Sequence, residues 1–218
     1  MGASQPIDVR DMAIIHRTFR EGYKEAARLV RAATTASDAR VAFLADHVDF
    51  CIAMLHIHHE GEDELLYPKL IERVPERAPV TEKVEHEHES IRASLDVATA
   101  RCTAWRQAPS AGTADDLAAG LDALGSELER HLDDEEEKVV PLAAVTLTQQ
   151  EWDAVGDHAV AQIPRKQRGI AFGMILDPLD QDERAYMKRG LPAPVRVLSP
   201  LLIDRPWKKY ASTLRSGT

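Results

Sequence analysis

Two segments of this 218-residue chain place a histidine and a glutamate four residues apart in the same sequence context. HHEGEDELLYP, which begins at His58, aligns without a gap to HLDDEEEKVVP, which begins at His131. Glu62 in the first segment therefore corresponds to Glu135 in the second. In a helix, residues four apart lie one turn apart on the same face. A carboxylate at that spacing can reach a metal ion held by the histidine and can also bridge to a second metal.

The elements that would position these residues are helices. Aromatic residues make up only 5% of the chain, while Ala and Leu are plentiful, which favours helices over a β-sandwich or barrel. Apolar residues recur at helical spacing in four long segments separated by turn-like breaks. We predict an all-α fold, a four-helix bundle, with helices at about 11–33, 37–72, 81–107 and 114–140.

Each predicted helix has one apolar seam that faces the bundle interior, traced by alternating steps of four and three residues. Six polar residues lie on these seams: His16, His58, Glu62, His88, His131 and Glu135. The other charged residues of HIHHEGEDELLYP, including His59, fall off the seam, and we interpret them as a solvated face. His86 is an alternative to His88, but it lies off the seam and lacks an apolar residue three positions later, so His88 is preferred.

Carboxylates on an apolar seam need cationic partners. An unpaired buried charge costs on the order of several kcal/mol, and no Lys or Arg lies on the seams near Glu62 or Glu135. Four imidazoles and two carboxylates suit two divalent ions such as iron and are too many for one tetrahedral zinc. Six ligands around two metals leave positions open for water, oxygen, peroxide or nitric oxide. The competing interpretation is that the histidines are hydrogen-bonded core residues and the acidic runs a solvated face.

The composition excludes several classes of function. A net charge of −9 argues against a nucleic-acid-binding protein. Cys51 and Cys102 form no disulfide framework and no Cys-x-x-Cys motif, and fit reduced thiols in a cytoplasmic protein. The N-terminal residues lack the apolar core of a secretory signal. The longest apolar runs are too short to span a bilayer, so no membrane partner is expected.

The last third of the chain differs in charge and composition. Residues 151–218 contain 11 Lys and Arg against 8 Asp and Glu, a net charge of +3, whereas the remainder has 16 against 28, a net charge of −12. This segment is also Pro-rich. We predict a bundle domain at 8–145 and a short helical extension at 146–218 that packs on it. The basic face of the extension is either a solvated layer or a contact for an acidic protein partner or another subunit.

These residues together resemble the hemerythrin-like, or HHE cation-binding, domain over about residues 8–145. The resemblance implies an up-down-up-down bundle with a non-haem di-iron centre, oxo- or hydroxo-bridged. It implies that both irons are bound by the six seam residues, with Glu62 and Glu135 bridging. The tail, with EWDAVGDHAVAQIPR and LPAPVRVL, is similar to extensions on actinobacterial members.

The chain departs from the oxygen-carrying members of that family. Those have a second histidine four residues along the third helix, where this chain has Arg92 after His88 and Val84 before it. Their fourth helix pairs a histidine with an aspartate five residues later, whereas here the pair is His131 and Glu135. The ligand set is more similar to the iron-sulfur-cluster-repair and regulatory branches. The cysteine-bearing N-terminal module of the repair proteins is absent from this sequence.

The resemblance implies a protein that reacts with or senses O2, hydrogen peroxide or nitric oxide. One alternative is an iron- or oxygen-sensing or storage module without turnover, which signals through the basic tail. Another is a di-iron oxygenase acting on an organic substrate; a ferritin-like oxidase is disfavoured because helices 2 and 4 reverse its Glu-x-x-His order. Tyr23 lies two turns after His16 on the same seam. Its hydroxyl is either bonded within the core or close enough to act on the metal centre.

Overall fold

The computed structural model describes residues 5–33 and 36–216, and no β-strand occurs within those ranges. The helices that form the bundle interior are α1 (Arg10–Ala32), α2 (Asp38–Leu65), α4 (Ala78–Gln107) and α5 (Ala111–Asp134). A short helix, α3 (Tyr67–Arg73), and a 3-10 turn (Pro75–Arg77) join α2 to α4. Helices α1 and α4 each pack against both α2 and α5, so the four helices close a ring around one core. This confirms the predicted all-α bundle.

The chain continues through shorter helices. A π-helical segment (Glu135–Val139) links α5 to α6 (Val140–Thr146), and α7 (Gln149–Gln162) packs against α2. After α7 come α8 (Arg168–Leu176), α9 (Gln181–Arg189), α10 (Ala193–Val197), a second π-helical segment (Pro200–Asp204) and α11 (Arg205–Arg215).

Helix ends differ from the prediction at the prolines. The third bundle helix begins at Ala78 instead of 81, because Pro79 occupies its first turn, where a missing N–H is tolerated. The second predicted helix is interrupted at Leu66, and Pro68 stands in the first turn of α3. Pro141 does not end the fourth helix, because the backbone widens into the π-helical segment just before it and then continues as α6.

By contacts the chain divides into two compact units, residues 1–162 and 163–218. Helix α7 belongs to the first unit, where Trp152 Nε1 donates to Asp11 Oδ1 at 3.0 Å and Arg73 makes two hydrogen bonds to Glu151. The predicted domain boundary at 145/146, and the packing of the extension on the bundle, stay predictions. One helical stretch, Asp38–Arg73, has the length and hydropathy of a membrane span. However, 56% of its most apolar 18-residue segment is buried, as expected of a bundle-core helix.

In the second unit, α8 and α11 approach closely at a glycine. A Cβ at Gly173 would overlap the Cβ of Trp207, so only a residue without a side chain fits there. Gly169, one turn earlier, faces the backbone carbonyl of Leu202 in the same way.

Candidate metal centre

All six residues predicted as metal ligands are buried inside the first unit. Four of them, His16, Glu62, His88 and Glu135, have no solvent-exposed surface, and the most exposed, His58, retains 8%. Their nitrogen and oxygen atoms converge into two neighbouring clusters in which the donor atoms lie within 4.8 Å of one another. The first cluster is His16, His58, Glu62 and Glu135; the second is His59, His88 and His131.

Each carboxylate lies between the two clusters. Glu62 Oε1 is 3.2 Å from His58 Nε2, while its Oε2 is 3.7 Å from His88 Nε2. Glu135 Oε2 is 3.4 Å from His16 Nε2 and 3.9 Å from His131 Nε2. Both side chains therefore reach the inward nitrogen of one histidine from each cluster, which is the placement a bridging carboxylate needs.

Among the inward polar atoms, His88 Nε2 and His131 Nε2 lie within hydrogen-bonding distance of each other, at 3.1 Å, but seven others have no hydrogen bonds within the described part of the chain. These atoms are His16 Nε2, His58 Nε2, both ring nitrogens of His59, both oxygens of Glu62 and Glu135 Oε2. Each unsatisfied buried polar atom costs about 1–3 kcal/mol, more when charged. Cations bound at the two clusters would give all seven atoms a partner. This donor set of imidazoles and carboxylates fits a pair of mid-row divalent metals.

Burial shifts the pKa values of several cluster residues. Burial, reinforced by the charges of Glu135 and Asp63, raises the pKa of Glu62 well above its usual range. Burial also lowers the pKa of His58 and His59 well below the usual value, and that of His131 to about 4. These three imidazoles are therefore neutral at pH 7, which is the form that binds metals.

In three of the histidines, the ring nitrogen that points away from the clusters, Nδ1, contacts a carboxylate. His16 Nδ1 lies 2.8 Å from Glu136 Oε1, and His88 Nδ1 lies 2.7 Å from Asp63 Oδ1. His131 Nδ1 lies 3.2 Å from Glu87 Oε2. An N–H donated to a carboxylate fixes the tautomer and directs Nε2 inward, an arrangement common among metal-binding histidines.

A cation pairs with each of these outer carboxylates. Arg20 contacts Glu136 at 2.7 Å, Arg92 contacts Asp63 at 2.9 Å and Lys83 contacts Glu87 at 3.1 Å. The pKa of Glu136 falls to about 2, chiefly through its hydrogen bond with His16 and then through Arg20. Burial raises the pKa of Asp63, but the His88 hydrogen bond and the Arg92 charge outweigh it, so the net shift is downward. Arg92 thus anchors the carboxylate that orients His88.

Two residues at the centre were not predicted. His59 is 2% exposed and lies in the second cluster, so its interpretation as part of a solvated face was wrong. Tyr67, which is fully buried, donates from its hydroxyl to Glu135 Oε1 at 2.9 Å and lies 3.5 Å from His88 Nε2. The HisHis pair at 58–59 and the tyrosine before Pro68 were the available sequence signals.

Two alternatives left open by the sequence have a geometric answer. The side chain of His86 is 78% exposed and pairs with Glu89 on the surface, so His88 is the histidine at the centre. The Tyr23 hydroxyl donates to the backbone carbonyl of Cys51 at 3.2 Å, which is the core-packing alternative. The tyrosine that contacts the cluster is Tyr67.

Comparison with known proteins gives one match. The family model of the hemerythrin HHE cation-binding domain matches residues 8–143. No curated protein and no solved structure matches the chain. The matched range spans all four bundle helices and every residue of the two clusters. The chain therefore belongs to the hemerythrin HHE cation-binding domain family.

Proposed function

We propose that this protein binds two iron ions, one at each cluster, and uses them to react with or sense O2, hydrogen peroxide or nitric oxide. The observation that carries the proposal is the set of seven buried, unbonded donor atoms that face one another across the two clusters. When bound, paired irons supply one-electron redox chemistry and open coordination positions for small molecules. The match to a cation-binding family supports the same assignment.

The protein's own residues would hold, orient and shield this centre. The outer carboxylates direct His16, His88 and His131 inward, as described above. The Phe19 ring packs against His58 with centroids 5.0 Å apart, which helps to keep water out on that side. Burial, followed by the Glu135 charge, raises the pKa of Tyr67 well above its usual value. Tyr67 therefore keeps its proton and holds it toward Glu135 Oε1.

The burial of the centre favours a small reactant over an organic substrate. All seven cluster residues are at most 8% exposed, so a diatomic gas or peroxide reaches them more readily than a bulky molecule. A pocket of about 390 Å³ is present, but the residues lining it, including Arg184 and Trp207, belong to the second unit. It gives the oxygenase alternative no support.

Iron binding and reactivity can be tested on the full-length protein. We expect chains loaded anaerobically with Fe²⁺ to retain two iron ions per chain, one for each cluster. The iron content is measured by elemental analysis after desalting. Addition of O2, hydrogen peroxide or nitric oxide should then change the visible spectrum, and peroxide loss over time separates turnover from binding. Glu62→Gln should lose iron, whereas Glu64→Gln, at a side chain 63% exposed, should not. Failure to retain iron, or silence toward all three reagents, would contradict the proposal.

A further inference from the structure

His59 differs from the other histidines in how it is buried. It follows His58 directly on α2, yet it is 2% exposed, and its ring stacks on that of His88 with centroids 3.9 Å apart and planes 13° apart. Its ring also meets that of His131 edge-on at 5.3 Å. The donor atoms of these three histidines lie within 4.8 Å of one another. His59 lies on α2, His88 on α4 and His131 on α5, so three helices each contribute one histidine to the second cluster.

Neither ring nitrogen of His59 has a hydrogen-bond partner among the described residues. Nδ1 and Nε2 are both buried; by contrast, His88 and His131 each have a carboxylate on Nδ1. A neutral imidazole ring carries one lone pair that can bind a metal. A core position that served packing alone would be more stable with an apolar side chain of similar size, since unsatisfied polar atoms are expensive to bury.

Without His59, the second cluster would contain only two imidazoles. The first cluster already has two imidazoles and both carboxylates. Building on the proposed function, we infer that His59 is the third imidazole ligand of the metal at His88 and His131. The two metal sites are then unequal: one is held by three imidazoles and the other by two, with both carboxylates between them. Imidazole ligands suit iron, as they suit zinc, copper and nickel.

Metal binding to His59→Leu tests this inference. Full-length protein is titrated anaerobically with Fe²⁺ and, separately, with Co²⁺, and metal per chain is measured after desalting. We expect His59→Leu to retain metal at the first cluster and to bind metal at the second cluster at least about 10-fold more weakly. Mutating residues that only hydrogen-bond to a metal ligand already lowers metal affinity by about 10-fold or more. His56→Ala, on the same helix but outside both clusters, should behave as wild type. Unchanged stoichiometry and affinity in His59→Leu would overturn the inference.

Stability without metal gives a second, independent readout. In chelator-treated protein, His59→Leu should raise the thermal midpoint, because it removes two unsatisfied buried nitrogens. Added metal should then raise that midpoint less than in wild type, because stabilisation by a ligand follows its affinity. His59→Gln, which keeps polarity, should lose metal without the gain in metal-free stability. A metal-free His59→Leu protein that is less stable than wild type, or does not fold, would show a structural role and reject the inference.

The outcome for the wild type separates this inference from the proposed function. If wild-type protein binds no metal, the proposed function fails and the ligand role of His59 fails with it. If wild type fills both clusters and His59→Leu does too, only the role of His59 is rejected.

Discussion

In three of the five clustered histidines, the direction of the inward nitrogen depends on a carboxylate that binds the other ring nitrogen. His16, His88 and His131 come from three different helices, yet each has Nδ1 on an acidic side chain that is itself paired with Arg or Lys. For Glu136 the histidine hydrogen bond and then the outer cation lower the pKa of the carboxyl, and for Asp63 the same two contacts outweigh the effect of burial, so the ring proton stays on the histidine and Nε2 keeps its lone pair for a metal. The exposed surface of this part of the bundle therefore contributes to the geometry of the buried centre.

The two buried tyrosines should respond differently to loss of their hydroxyls. Tyr67→Phe leaves Glu135 Oε1 without its donor, so we expect metal-free protein to lose about 1–3 kcal/mol of unfolding free energy and metal-loaded protein to show an altered visible spectrum. Tyr23→Phe removes a bond to the Cys51 carbonyl and should also destabilise, but the spectrum should not change. Chemical denaturation and absorption spectra check both variants. Identical spectra for Tyr67→Phe and wild type would mean that Tyr67 does not influence the metals.

At the scale of elements, apolar periodicity was sufficient to predict the bundle but not its irregularities. Glu135 was placed correctly by its seam, although it begins a π-helical segment. That segment shifts the hydrogen bonds by one residue and leaves no compositional signal. His59 was missed because the predicted seam contains one residue at each step of three or four, and at this step that residue is His58. Adjacent helical residues point about 100° apart, and the centre is wide enough for both, since α2 faces α1 on one side and α4 on the other.

Glycine at the α8–α11 crossing gives a test of the second unit. Gly173→Ala places a Cβ on that of Trp207, so the helices must separate, and we expect a loss of about 1–3 kcal/mol in unfolding free energy. Gly156→Ala is the matched control, because a Cβ at that position in α7 meets no atom within 4 Å. That change should stabilise the protein by about 0.5–1 kcal/mol through the better helix propensity of Ala. Denaturant midpoints read out both, and a neutral Gly173→Ala would show that the close packing is not required.

At the scale of the whole molecule, charge is distributed very unevenly. Residues 1–162 contain 16 Lys and Arg against 31 Asp and Glu, a net charge of −15, whereas residues 163–218 contain 11 against 5, a net charge of +6. The excess of acidic groups lies in the unit that holds the candidate metal centre, where self-repulsion opposes the compact state. Bound divalent cations would reduce that repulsion at its most buried point. Metal occupancy and folding of the first unit should therefore be thermodynamically linked.

This linkage predicts how stability depends on pH. In metal-free protein the folded-state pKa values of His58, His59 and His131 are lowered, so the unfolded chain binds more protons below about pH 6.5 and stability falls as the pH decreases. The folded-state pKa of Glu62 is raised, so the folded chain binds more protons above about pH 4.5 and stability falls as the pH increases. Each proton contributes at most about 1.4 kcal/mol per pH unit.

Between about pH 4.5 and 6.5, the proton uptake of the three histidines on unfolding exceeds the proton release of Glu62, so metal-free stability rises with pH. Above about pH 6.5 only Glu62 of these four groups contributes, so metal-free stability should be greatest near pH 6.5 and decline on both sides. Bound metal requires the ionised form of Glu62, which removes the decline above pH 6.5 and leaves the decline below it, where protons compete for the imidazoles. Urea denaturation from pH 5 to 8, with chelator-treated and iron-loaded samples side by side, measures both profiles. Parallel profiles for the two samples would show that the buried carboxylate and imidazoles do not contact the metal.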